Sequence, residues 1–154
     1  MSTGDIVIRS ATAADIDILE SIEVDCFPTT NPTVQRALPG EVAAAVLRGE
    51  VLVATINWEI VGFVHTSAKS PGHHFVDDIA VIESARGHGV GRHLVATALT
   101  KVGESCIVSC TIAPTNTSSL ILFTQMGFVI TALVPDYYGP GKDRLWLERP
   151  SRSL

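Results

Sequence analysis

The run ARGHGVGRHL, Ala85 to Leu94, carries three glycines on alternate positions, Gly87, Gly89 and Gly91, framed by Arg86 and Arg92. Inside a helix each would cost about 1 kcal/mol relative to alanine, so the pattern belongs where bare backbone is useful. A glycine-rich turn between a strand and a helix start is such a place, because its free N–H groups and the helix dipole point at one spot and hold an anion. Two familiar phosphate loops do not fit these residues. A P-loop needs GxxxxGK followed by Ser or Thr, and no such lysine is present. A dinucleotide fingerprint needs GxGxxG at the head of a βαβ unit, whereas His93 follows Val90-Gly91-Arg92 and no second βαβ unit comes after it.

Other reactive side chains are sparse. The three cysteines, Cys26, Cys106 and Cys110, form no CxxC and have no histidine pair at zinc-ligand spacing, so they read as reduced core thiols. His73 and His74 cannot share one metal ion, since neighbours on a strand point to opposite faces, and a solvated strand start is their expected setting. No metal site is expected.

The elements that must carry the glycine loop follow from hydrophobic periodicity. DIVIRSA alternates as a strand, and Thr12 with Asp15 then opens a helix bearing Ile16, Leu19, Ile22 and Val24. A breaker-rich loop from Cys26 to Pro32 precedes a second predicted helix, Val34 to Arg48, stopped at Gly49. VLVATI and IVGFVHT form a hairpin about Asn57-Trp58, a turn that would favour Asn-Gly, so Trp58 is expected to pack over it, the alternative being exposure toward a partner. HFVDDIAVI is the strand entering the glycine loop, and His93 to Val102 the helix leaving it. Cys106 to Ile112 is a further strand, Pro114-Thr115-Asn116 caps a helix running to Gln125, and Gly127 ends it. FVITALV, the loop DYYGPGKD and RLWLER complete the chain, with Ser151 to Leu154 expected to fray. The order βααβββαβαββ predicts a mixed α/β or α+β sheet, and residues 1–150 read as one domain.

Composition narrows the partners. The 154 residues carry a net charge of -5 with 11 Lys plus Arg and no basic run, which argues against a nucleic-acid footprint. No stretch reaches the length of a membrane span, and MSTGDIVIRS lacks the pattern of a secretory leader. The expected compartment is the cytoplasm.

What remains for the loop is R-x-x-G-x-G, supplied by Arg86-Gly87-His88-Gly89-Val90-Gly91, and here the sequence closely resembles the GNAT superfamily of acetyl-CoA-dependent N-acetyltransferases. DIAVIESARGHGVGRHLV matches that family's strand-loop-helix block, APTNTSSLILFTQMGF resembles its NxxAxxLYxxxGF block, and VLVATINWEIVGFV resembles the hairpin of its second and third strands. The resemblance implies a mostly antiparallel central sheet with flanking helices, splayed between the fourth and fifth strands. It implies acetyl-CoA as cosubstrate and an amine as acceptor, with a second copy of the chain as a candidate partner. The amides of Arg86, Gly87, His88, Gly89, Val90 and Gly91, running into Arg92, would hold the pyrophosphate, and the Arg86 side chain would add charge. The main chain of Ile79, Ala80 and Val81 would pair with the pantetheine arm, with Asn116 close by. The side chains of His88 and His93 are expected to be solvated.

In this family the amine attacks the thioester directly. The usual acid, the Tyr of the LY pair, is replaced by Phe123, which cannot donate a proton. A CoA thiol resembles a cysteine thiol of pKa about 8.5, so its thiolate departs tolerably well unaided. Tyr138 is the candidate replacement, and DYYGPGKDRLWLER resembles the acceptor-lining YYxxGxDA segment of protein N-terminal acetyltransferases, apart from Arg144 where that pattern has Ala. Tyr137 and Tyr138 would then grip substrate. Phe27 and Pro28 would meet it too, because IEVDCFPTTN resembles the corresponding region of the ribosomal-protein branch. That branch's glutamate on the fifth strand is Thr111 here. Asp77 and Asp78 are the nearest candidate bases, of which strand alternation lets at most one face the cleft. Glu23 and Asp25 rank behind them. At pH 7 a lysine amine costs about 4.6 kcal/mol to deprotonate and an α-amine only about 1 kcal/mol, which favours an α-amine or another acceptor of low pKa. A small-molecule amine and a protein N-terminus both remain open, as does a module that binds acetyl-CoA without turnover.

Overall fold

The computed structural model describes residues 4–152. Seven strands form one sheet: β1 (Ile6–Ser10), β2 (Val51–Ile56), β3 (Glu59–Ser70), β4 (His73–Val81), β5 (Ile107–Ile112), β6 (Val129–Val134) and β7 (Arg144–Arg149). Their spatial order is β1-β2-β3-β4-β5-β7-β6, and every pairing is antiparallel except β4 with β5. Helices α1 (Ile16–Cys26) and α2 (Glu41–Leu47) cover one face, and α3 (Val90–Val102) and α4 (Thr117–Gln125) belong to the other.

Strand alternation divides the core between the two faces. On β2, Val51 and Val53 face Leu19 and Ile22 of α1 and Val42, Ala45 and Val46 of α2. Leu52 and Ala54 face the opposite way, into a cluster holding Leu94, Val95 and Ala98 of α3 with Phe123 of α4. The α1 start is fixed where Thr12 and Asp15 place it. The Asp15 carboxylate accepts from the Thr12 amide at 2.7 Å and from Arg9 Nη1 at 2.7 Å, after which a 3-10 turn runs into the helix.

Several expectations need correction. The second helix spans only Glu41–Leu47, because Pro39 disfavours helical backbone at Leu38 and Gly40 adopts φ +83. Residues 34–38 instead form an irregular wall of the cleft described below. Trp58 does not pack over its hairpin. Asn57 and Trp58 both take positive φ, 50 and 70, as a tight primed turn requires, and this throws the indole into solvent at 98% exposure. His73 and His74 are half-buried rather than solvated, with His73 Nε2 2.8 Å from the buried Ser109 Oγ. Helix α3 begins at Val90, so Gly91 lies in its first turn.

Candidate active site

The glycine loop stands where strand, turn and helix meet. Gly87 and Gly89 adopt φ +80 and +83, which side-chain-bearing residues rarely adopt, and a Cβ on Gly91 would stand 3.2 Å from Leu122 Cδ2. The Arg86 amide closes a 3-10 turn onto the Glu83 carbonyl at 3.2 Å, and the first α3 bond is His93 N–H to the Gly89 carbonyl at 3.0 Å. Among the described residues the amides of 87–92 have no backbone partner, so a run of donors is free at the positive end of a thirteen-residue helix.

A cavity of about 400 Å³ opens from this loop, walled by Ile79, Ala80 and Val81, by Arg86, Gly87, Gly89, Val90 and Gly91, and by Asn116 and Leu122. Ile82 donates its amide to Val61 of β3, so strand alternation turns the backbone edges of Ile79 and Val81 away from β3, toward β5. There they meet little of that strand, because β4 and β5 pair only over His73–Phe75 and Ile107–Ser109 and then separate. The Arg86 side chain folds back, its Nε donating to the Val81 carbonyl at 2.9 Å. Cys26 lies at the edge of the α1–α2 core rather than inside it. It is half-buried on the cavity wall with Sγ 3.7 Å from Arg86 Nη2, and burial raises its pKa. Cys110 is the buried one, its thiol pushed by burial up to about 12. Asn116 caps α4, its Oδ1 accepting from the Ser119 amide at 3.2 Å. Arg92 ties α3 to α4 through Gln125 and Met126, and His88 is exposed.

A second cavity, of about 620 Å³, meets the first at Phe27, Ile79, Asn116 and Ser119. Both Asp77 and Asp78 line it, against the expectation that only one could. The reason is a β-bulge. His65 pairs with Asp78 but Thr66 with Val76, so Asp77 is an extra residue on β4 and strand alternation breaks there. The two aspartates have different company. Asp77 accepts from Ser67 Oγ at 2.6 Å and Lys69 Nζ at 3.1 Å, with His65 Nε2 at 3.7 Å. Asp78 takes part in none of the described salt bridges, and burial first, then the Glu23 carboxyl, raises its pKa well above the ordinary carboxylate range.

The remaining walls come from segments far apart in sequence. Arg36, Leu38 and Glu41 stand on one side, and Thr111, Phe123, Tyr138 and Arg144 on the other. Phe123 is 2% exposed and packs edge-on against Phe128, with ring centroids 5.1 Å apart. Tyr138 lies over the Arg144 guanidinium at 5.0 Å, and Arg144 Nη2 donates to the Thr33 carbonyl at 2.8 Å. Tyr137 turns away onto Trp146, and Pro28 is exposed outside both cavities, so neither joins the residues that the cleft brings together. Asp25 is likewise exposed, whereas Glu23 is buried. Sequence reasoning missed His65, Glu41 and Arg36. Their spacing carried no signal because each reaches the cleft from a different element.

The acetyltransferase (GNAT) family model matches residues 16–128. An uncharacterized N-acetyltransferase of Methanocaldococcus jannaschii is 28% identical over 147 residues, covering 90% of this chain and 88% of its own. An uncharacterized protein of Mycobacterium leprae is also 28% identical, over 96% of this chain, yet this chain spans only 41% of that protein's length. Among solved structures, Ard1 of Thermoplasma volcanium superposes with a TM-score of 0.81 at 22% identity, covering 96% of this chain and 99% of that one. Since the family model takes in the α1 face, the splayed strands and both blocks around the glycine loop, the chain belongs to the GNAT acetyltransferase family.

Proposed function

We propose that the protein transfers an acetyl group from acetyl-CoA to a primary amine, with donor and acceptor meeting where the two cavities join. The observation that carries this reading is the shared wall of Phe27, Ile79, Asn116 and Ser119. On one side lie free amides suited to a pyrophosphate, and on the other a carboxylate-lined recess suited to an amine. When bound, acetyl-CoA supplies a thioester whose sulfur is a fair leaving group. The amides of residues 87–92 hold the anionic end, and the backbone edges of Ile79 and Val81 align the arm in the gap beside β5. Phe27 and Tyr138 flank the acceptor. Asp78 is the proton acceptor, since Asp77 is committed to Ser67 and Lys69.

Residues 1–150 act as one acetyltransferase domain in this reading, and the cytoplasm is its compartment. A homodimer is a further part of it, which light scattering checks. The acceptor is a small-molecule amine or a protein N-terminus. Its α-amine character follows from cost, about 1 kcal/mol for deprotonation at pH 7.

The test is calorimetric titration with acetyl-CoA followed by single-turnover assay against a panel of amines and N-terminal peptides. Binding with acetyl transfer to at least one α-amine is expected. Tight binding with no CoA released on any acceptor would instead favour a sensor, a reading that Phe123, a buried phenyl where the family has an acid, keeps specific.

A further inference from the structure

Arg144 is the position at which DYYGPGKDRLWLER departs from the pattern it resembles, and the fold buries it in the wall of the acceptor recess. The residue is 6% exposed, yet it takes part in none of the described salt bridges. Its Nη1 donates to the Asp143 carbonyl and its Nη2 to the Thr33 carbonyl, each at 2.8 Å. Those bonds use two of the five N–H groups of a guanidinium, and the others have no acceptor among the described residues. The Tyr138 ring lies against the same group at 5.0 Å. Burial lowers the Arg144 pKa, against smaller opposite pulls from Tyr138 and Asp143.

The acids nearby are engaged elsewhere or stand on another wall. Asp143 Oδ1 accepts the Asp136 amide at 2.8 Å, and Glu41 Oε2 accepts the Leu38 amide at 2.8 Å. Asp77 is held by Ser67 and Lys69. Asp78 belongs to the facing strand. Phe75 pairs with Ser109 and Leu145 with Ile112, so Asp78, three residues past Phe75, and Arg144, one before Leu145, come level with the same end of β5 from its two sides. With β5 between them, and neighbouring strands about 4.8 Å apart, the two walls stand roughly 10 Å or more apart at the backbone. The recess is therefore dipolar, with carboxylates along β4 and α2 and a guanidinium on β7. Its other guanidinium, Arg36, is held by the Phe27 and Val24 carbonyls on the α1 side. A plain alkylamine would engage only the acidic wall and leave the Arg144 charge buried without an anion.

We propose that Arg144 binds a carboxylate carried by the acceptor itself, so that the substrate is an amine of the amino-acid type, its ammonium group toward Asp78 and its acid on the guanidinium. This rests on the reading of the recess as the acceptor site. A guanidinium offers paired N–H groups in the geometry of a carboxylate. Here its position is already set by two carbonyls and an aromatic ring, so little freedom is lost when the anion arrives. The carboxylate has two sources, the α-acid of a free amino acid or an acidic first side chain of a peptide, and the contact is the same for both.

Matched acids and amides test this. Wild type should favour free amino acids over their carboxamides, or peptides beginning with aspartate or glutamate over those beginning with asparagine or glutamine, by at least about 10-fold in kcat/KM, chiefly through KM. The arm that discriminates names the source. Arg144→Gln removes the charge and keeps a side-chain N–H, and it should bring the acid-to-amide ratio down to about 1, whereas a purely structural loss would lower both substrates alike. Equal use of acid and amide in both arms, or a preference that survives R144Q, overturns the inference and leaves acetyl transfer in place. The wild-type comparison decides even where R144Q does not fold. If acetyl-CoA binds and no amine is acetylated, transfer is the reading that fails. Calorimetric titration of the CoA-loaded protein with the same acids and amides then tests Arg144 by the same ratio.

Discussion

The two ends of the cleft are built from different materials. The end proposed for the donor is backbone, a contiguous run of amides over residues 87–92 displayed by one turn and one helix start. The end proposed for the acceptor is side chain: Glu41 from α2, His65 from β3, Asp77 and Asp78 from a bulge in β4, and Arg144 from β7. Amides do not titrate and tolerate changes of side chain, so the first end reads the same in any member that keeps the glycines. Carboxyls and guanidinium groups change with every substitution, so the second end is where specificity and pH dependence reside.

The comparison can be broken from either side. The largest effect should come from Asp78→Asn, which removes the proton acceptor and should lower kcat/KM by about 10²–10⁴, while calorimetry finds acetyl-CoA affinity unaltered; a matching loss of affinity would show that the ends are not separable. Gly89→Asp should do the reverse. A carboxylate in the amide cradle should weaken acetyl-CoA binding at least about 100-fold through like-charge repulsion, and Gly89→Ala, which carries the φ +83 strain without the charge, should weaken it less.

Two smaller effects lie outside the cleft. Arg9 hydrogen bonds hold the Asp15 carboxyl down at about 2. A depressed acid stabilises the fold above its unfolded pKa near 3.9, and that stability disappears as the pH falls toward 2. Asp15→Asn should therefore cost about 1–2 kcal/mol at pH 7, discounted because Arg9 is 43% exposed, and the gap to wild type should close in acid denaturation near pH 2. Trp58→Gly should give the least, a gain of below about 1 kcal/mol by thermal unfolding, since it removes a left-handed backbone penalty from a side chain that buries nothing.

The same contrast explains what was legible in the sequence. β2, the helix after the glycine loop, the Asn116 cap and β7 could be read because periodicity and capping are local. The spread of β4 from β5 followed only from the family resemblance. Residues 34–38 read as helix because their apolar pattern continues into α2, and only Pro39 and Gly40 mark the interruption. Asp77 and Asp78 could not both be placed in the cleft, since a bulge is a property of two strands and only one of them is visible in a run of letters. Glu23 and Asp25 could be ranked only together, behind the aspartates, because the burial of Glu23 depends on how α1 packs against strands distant in sequence.

The bulge at Asp77 also makes the lining of the recess a matter of counting. Up to Phe75 β4 and β5 keep step, and beyond it one surplus residue in β4 puts the strand out of phase with β3 by one position. A chain shortened by that residue would restore alternation along the whole strand. It would turn one of the two recess-facing side chains to the other side of the sheet. Insertions and deletions are usually tolerated in loops and disfavoured in strands for reasons of stability; in this strand a single residue of length also sets which side chains line the recess.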